Sequence, residues 1–195
     1  MILGDISGAE FLAKYWQKKP LLVRNAIANF EPPIDGDELA GLALEHDVES
    51  RLIVGKDWKL EHGPFAEDRF ASLPDSHWTL LVQAVDLWVP EVAEILKHFY
   101  FLPPWRVDDI MVSYAEDGGS VGPHFDYYDV FLIQGAGQRR WQIGELCDAD
   151  TPLIQNSELK ILEQFTPQDE WVLETGDMLY LPPKIAHHGV AIGEC

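Results

Sequence analysis

The chain has 195 residues, 47% of them hydrophobic, which is enough for one domain with a sizeable core and too apolar for a disordered polypeptide. Its 33 acidic and 14 basic side chains give a formal charge of −19, which argues against direct nucleic acid binding and favours a basic partner. Only two cysteines, Cys147 and Cys195, are present, and neither a basic-apolar leader nor an apolar run of membrane length occurs, so a soluble cytoplasmic protein without membrane contact is expected.

Ser7 is a natural N-cap for a first helix that carries Phe11, Leu12, Tyr15 and Trp16 at helical spacing, and Pro20 stops it. Leu21 to Arg24 reads as a strand. Asp35 or Asp37 caps a second helix with Leu39, Leu42 and Ala43 on one face. Arg51 to Val54 and Trp58 to Leu60 form a hairpin around Gly55-Lys56-Asp57. Trp78 to Val85 reads as a buried strand, and Pro90 opens a helix through Val92, Ile95, Leu96 and Phe99. Ile110 to Tyr114 begins a strand-rich second half. His46, His62, His77 and His98 have no ligand-spaced neighbour and read as surface or structural groups.

The second half carries the chemistry. Gly118, Gly119, Gly122 and Pro123 form a loop leading to His124-Phe125-Asp126, and on an extended segment residues two apart share a face. Tyr128 to Gln134 reads as a strand, Gly135-Ala136-Gly137 as a turn, and Arg139-Arg140-Trp141 as the start of the next strand. Asp150 to Ser157 is a polar insertion or lid. Trp171 to Leu173 is a strand, Thr175-Gly176-Asp177 a turn, Met178 to Leu181 a short apolar strand, and Pro182-Pro183 precedes His187 and His188. Two imidazoles and one carboxylate make the facial set that holds non-haem Fe(II) with open positions, although Zn, Ni and Mn accept the same donors. The competing reading makes His124 and Asp126 a hydrogen-bonded pair that stabilises a loop.

Of Arg139 and Arg140, adjacent on a strand, only one can face inward, where a guanidinium would bind a carboxylate in a fork. Asp108, Asp109, Glu116, Asp117, Asp126 and Asp129 crowd the same stretch and would draw in a cationic side chain. Met111, Tyr114, Tyr127 and Tyr128 are close enough in sequence to line a pocket, and equally suited to the core. No serine or cysteine nucleophile motif and no phosphate-cradling Gly-Lys-Ser/Thr is present. A helical first half before a strand-rich second half implies a mainly β, α+β fold: a jelly roll with an N-terminal extension.

FLAKYWQKKPLLVRN, DELAGLALEHDVESRL, the HGPF at His62 to Phe65, WTLLVQAVD, LPPWRVDDIMVSYA and the His124 stretch together resemble the JmjC-type, cupin-fold 2-oxoglutarate oxygenases. Within that family the chain is most similar to the bacterial ribosomal oxygenases that hydroxylate an arginine of a large-subunit ribosomal protein. The resemblance implies a double-stranded β-helix over 106–195 with an extension over 1–105, all one domain. It implies His124, Asp126 and His187 as catalytic Fe(II) ligands, His187 standing four residues after the second proline. Arg139, two before the strand's tryptophan, takes the role of binding 2-oxoglutarate. The implied reaction uses dioxygen to couple decarboxylation of 2-oxoglutarate with hydroxylation of a basic, ribosomal protein. The family continues beyond the position of Cys195 into a last barrel strand, a helical dimerisation region and a winged-helix-like domain; their absence here makes a homodimer doubtful and leaves one wall of the site open. The alternatives to an active hydroxylase are a cupin enzyme that does not use 2-oxoglutarate and a metal-binding fragment with little turnover. Arg139 favours a carboxylate-bearing co-substrate.

Overall fold

The computed structural model describes residues 2–155 and 157–195. Ten strands and four α-helices alternate with 3₁₀ turns. Helix α1 (Gly8–Lys14) is capped by the Ser7 side chain, which accepts from the Glu10 N–H, and it buries Phe11. Strand β1 (Leu21–Val23) follows. Helix α2 (Gly36–Leu42) opens on a reciprocal cap: Asp35 accepts from the Glu38 N–H, and Glu38 accepts from the Asp35 N–H. Strands β2 (Ser50–Val54) and β3 (Lys59–His62) form the hairpin, helped round its turn by Gly55 at φ +84°. A short helix α3 (Glu67–Ala71) leads to β4 (Trp78–Val82).

Several expected elements are shorter than the sequence suggests, and two of them show the cause. Strand β4 ends at Val82 rather than Val85, because Asp109 accepts from the Gln83 side chain and the Ala84 N–H and Ala84 turns to φ +53°. The helix opened by Pro90 is α-helical only as α4 (Pro90–Ala93) and continues as a 3₁₀ helix over Glu94–Phe99. In both helix types apolar residues three apart stay close to one face, so the spacing does not separate them. The remaining strands are β5 (Val112–Ala115), β6 (Val130–Ile133), β7 (Gln138–Leu146), β8 (Asp169–Glu174), β9 (Met178–Leu181) and β10 (Ile185–Ile192).

All strand pairs are antiparallel, in the orders β1-β9-β6, β10-β7-β8 and β3-β2-β4-β5. The first two sheets face each other: Trp141 and Ile143 of β7 and Leu173 of β8 pack with Leu179 and Leu181 of β9. The opposite face of β9 presents Met178 and Tyr180 to Phe11 of α1 and to Phe131 of β6. Helix α2 covers the outer face of the third sheet through Leu39 and Ala43 against Leu52, Leu80 and Val82. Backbone hydrogen bonds between residues 115–124 and 187–195, including Gly118 N to Ala191 O and Ala191 N to Gly119 O (both 3.0 Å), join the third sheet to β10. No helix among the described residues is long and apolar enough to cross a membrane.

Candidate metal centre

His124 lies outside the named strands but is paired to one. It makes an isolated bridge to His187 of β10, with His124 N to His187 O at 3.0 Å and His187 N to His124 O at 2.8 Å. The segment keeps its contact with the β10 side of the barrel at Asp126, whose carbonyl accepts from the Lys184 N–H at 2.6 Å, so residues 124 and 126, two apart, bring both side chains to the same side. The Asp126 Oδ2 lies 3.8 Å from His124 Nε2 and 3.5 Å from His187 Nε2. The three donor atoms lie within 4.8 Å of one another, the only such group of three His, Cys, Asp or Glu among the described residues. His46, His62, His77, His98 and His188 stay outside it; His188 instead lies on the other side of β10, with Nε2 3.0 Å from Ser120 Oγ.

The second ring nitrogens are already engaged. His124 Nδ1 lies 2.9 Å from Gly122 O, and His187 Nδ1 lies 2.9 Å from Ile185 O. A carbonyl can only accept, so each Nδ1 carries the proton and each Nε2 is left with its lone pair toward the centre. Burial pushes the pKa of His187 down to about 3, with His124 adding to the effect, so its ring stays neutral. Desolvation raises the pKa of Asp126 against the opposing influence of His124, Tyr128 and Arg51. Two imidazole nitrogens and a carboxylate converging on one point fit a divalent metal.

Arg139 lies on the face of β7 that also carries Trp141 and Ile143, while Arg140 is exposed. Its Nη1 reaches Ser113 Oγ at 3.4 Å and its Nη2 reaches Cys195 Sγ at 3.3 Å. Its Nε is buried and has no partner. A guanidinium with an orphaned donor and two long contacts in place of a carboxylate suits a carboxylate-bearing ligand. The Trp141 ring, 5.9 Å from that of His187, fills the space between the two functions, and Gly189 lets it approach: a Cβ there would fall 2.7 Å from the indole.

The surrounding residues divide differently from their order in sequence. Met111, Tyr127 and Tyr128 are exposed at 43%, 55% and 66%, which removes them from the core. Tyr114 points to the opposite face of β5 from Ser113, its ring 5.5 Å from that of Trp78, and does not line the pocket. Several of the crowded acids are internally bonded. Asp109 holds Gln83 and Ala84, Asp117 accepts from the Gly193 N–H, and Asp129 accepts from the hydroxyl of Tyr180. The segment just after the polar insertion packs beside the centre through Leu162 N to Pro123 O at 2.8 Å and reaches His62 from Glu158 at 3.8 Å; within the insertion, Asn156 lies outside the described residues. Arg51, on β2, also influences Asp126 and was not singled out by any sequence motif.

Residues 94–195 match the family described as JmjC domain. The chain is 44% identical over 190 residues to a probable ribosomal oxygenase of Haemophilus influenzae, covering 95% of this chain and 46% of that protein. It is 43% identical over 185 residues to the ribosomal protein uL16 3-hydroxylase of Escherichia coli, covering 94% and 49%. The structure of YcfD, a ribosomal oxygenase from Escherichia coli in complex with cobalt and 2-oxoglutarate, superimposes with a TM-score of 0.86 at 41% identity, covering 97% of this chain and 50% of that one. The chain thus spans about half the length of the curated relatives it matches.

Proposed function

Because the chain belongs to the JmjC domain family, we propose that it is an Fe(II)- and 2-oxoglutarate-dependent oxygenase that hydroxylates a cytoplasmic ribosomal protein. The protein is uL16 in this reading, as in the name of the Escherichia coli relative, and the residue is an arginine. The single observation that carries it is the pairing of the His124–Asp126–His187 cluster with the orphaned Arg139 Nε on the same inner wall. The first suits a redox metal and the second suits the far carboxylate of a 2-oxo acid. Residues 1–105 act in this reading as an extension that completes the domain around the 106–195 core.

His124 and His187 offer Nε2, and their carbonyl-bonded Nδ1 atoms hold the rings in that orientation. Asp126 supplies the negative donor. Bound iron supplies the chemistry that uses dioxygen to couple decarboxylation of 2-oxoglutarate to hydroxylation of a substrate C–H bond. Arg139 would hold the far carboxylate of the co-substrate, on the same face of β7 as the buried Trp141 and Ile143. Exposed Tyr127 and Tyr128 give a cationic side chain aromatic faces at the mouth.

The test is succinate formation from 2-oxoglutarate by anaerobically Fe(II)-loaded protein on admission of air, with and without uL16. Succinate that rises with uL16, together with one added oxygen on an arginine by fragment-ion mass spectrometry, is the expected result. Oxygen on a histidine would replace the residue but keep the reaction. Absence of both 2-oxoglutarate binding and succinate would sink the reading.

A further inference from the structure

Arg51 stands near the start of β2, in register with Leu81 of β4, which is in turn in register with Ser113 of β5. Side chains alternate along strands and residues in register share a face, so Arg51 lies on the same face as Ser113, the contact of Arg139. That face looks toward the metal centre. The Arg51 guanidinium acts electrostatically on both Asp126 and Tyr128.

Its own donors are poorly used. Arg51 Nη2 lies 3.5 Å from Gln83 Oε1 and 3.8 Å from Met111 Sδ, both at the outer limit of a hydrogen bond. No carboxylate among the described residues comes within ion-pair distance of it, in a chain with 33 acids to choose from. Asp109, which shares Gln83 with Arg51, is committed to Gln83 Nε2 at 2.6 Å and Ala84 N at 2.9 Å. Gln83 therefore donates to Asp109 and turns its oxygen to Arg51, which orients the guanidinium without neutralising it. A half-buried guanidinium with several free N–H groups calls for oxygen acceptors from outside the chain.

We propose that Arg51 is a substrate-binding residue that donates hydrogen bonds to main-chain carbonyl oxygens of the polypeptide whose side chain enters the metal cleft. The inference rests on the oxygenase reading and adds a contact to it. A cationic target side chain is repelled by Arg51 and is better received by the aromatic faces of Tyr127 and Tyr128. The co-substrate's carboxylate has Arg139. A basic polypeptide is poor in carboxylates but offers a carbonyl at every residue, and a planar fork can hold one or two of them. Arg51 is too far from Asp126 to form an ion pair, so it does not orient that metal ligand.

The test is equilibrium binding of fluorescently labelled uL16 to the full chain loaded with Mn(II) and 2-oxoglutarate under anaerobic conditions. Arg51→Met, which keeps the packed stem and removes the donors, is expected to weaken uL16 binding about tenfold, a loss of roughly 1.4 kcal/mol. Arg51→Lys is expected to recover part of it. The Kd values for Mn(II) and 2-oxoglutarate are expected to move less than about twofold on the same conversion. Unchanged uL16 binding in Arg51→Met, while wild type binds both ligands, overturns this inference alone. Weakened 2-oxoglutarate or Mn(II) binding overturns it in favour of a role at Arg139 or Asp126. A wild type that binds neither 2-oxoglutarate nor uL16 overturns the oxygenase reading and this inference with it.

Discussion

An imidazole is a well-aimed ligand when its other nitrogen is fixed, and at His124 and His187 backbone carbonyls two residues earlier do the fixing. These are local contacts, so removing one ring leaves the surrounding packing in place. His124→Ala is expected to retain the melting temperature of metal-free protein and to lose the upward shift that Fe(II) or Mn(II) gives wild type, read by thermal denaturation with and without metal. A metal-free variant that melts much earlier would make the pair a structural device. Arg139→Ala is expected to weaken 2-oxoglutarate by roughly ten- to a hundredfold, the range of a lost charge-assisted hydrogen bond, and to spare metal, as measured by titration of each ligand. Asp177 shows charge used for stability. It is buried and would be raised by desolvation, but the N–H groups of Glu174 and Asn25 and the Arg24 guanidinium hold it below the ordinary carboxylate range. Its contribution is therefore full above the unfolded value of about 3.9 and is lost as pH falls through the lower folded value. Asp177→Ala should cost about 2 kcal/mol or more at pH 7, and the gap from wild type in urea denaturation should narrow in acid.

At the scale of elements, the site depends on residues 115–124 lying along β10, because that ladder brings His124 beside His187. Gly119 makes the close approach: a Cβ there would stand 2.2 Å from the Trp78 carbonyl oxygen, which is backbone and cannot rotate away. Gly119→Ala is expected to destabilise by about 1–3 kcal/mol and to weaken metal binding in the folded fraction, unlike a surface change of equal stability cost. Measuring metal affinity below the melting transition separates the two effects. The elements legible in the sequence are those with local signals: the Ser7 cap, the Asp35–Glu38 reciprocal cap and the Gly55 hairpin. Helix α3 has no side-chain cap at Ala66 and only five residues, so it leaves little trace. The small residues of IAHHGVAI give β10 no strong pattern by themselves; its length follows from registration on β7 from Gln138 to Leu146. The His-x-Asp motif is visible, but the pairing that sets it beside His187 is not, since it joins residues 63 apart in sequence. Arg51 is invisible for a similar reason: nothing local distinguishes it, and its meaning comes from two registers across β4 and β5.

For the molecule as a whole, a charge of −19 gives a long-range pull on any basic partner. Association with uL16 is expected to slow markedly between about 50 and 300 mM salt, where the screening length shortens, while dissociation changes less; stopped-flow mixing reads both. The jelly-roll class is readable from composition and order, yet the way its two halves join is not, because that union is made by strands remote in sequence. Strand β1 closes onto β9 with Leu21 opposite Tyr180, and the Gln17 N–H meets the Tyr180 hydroxyl across 163 positions. During synthesis β1 thus waits for a strand made much later. Until β9 leaves the ribosome, Phe11, Leu21 and Val23 have no finished surface to cover, and that apolar segment is left in search of a partner. Holding this segment shielded, by chaperone or by slow local codons, is a cost that the completed fold no longer displays.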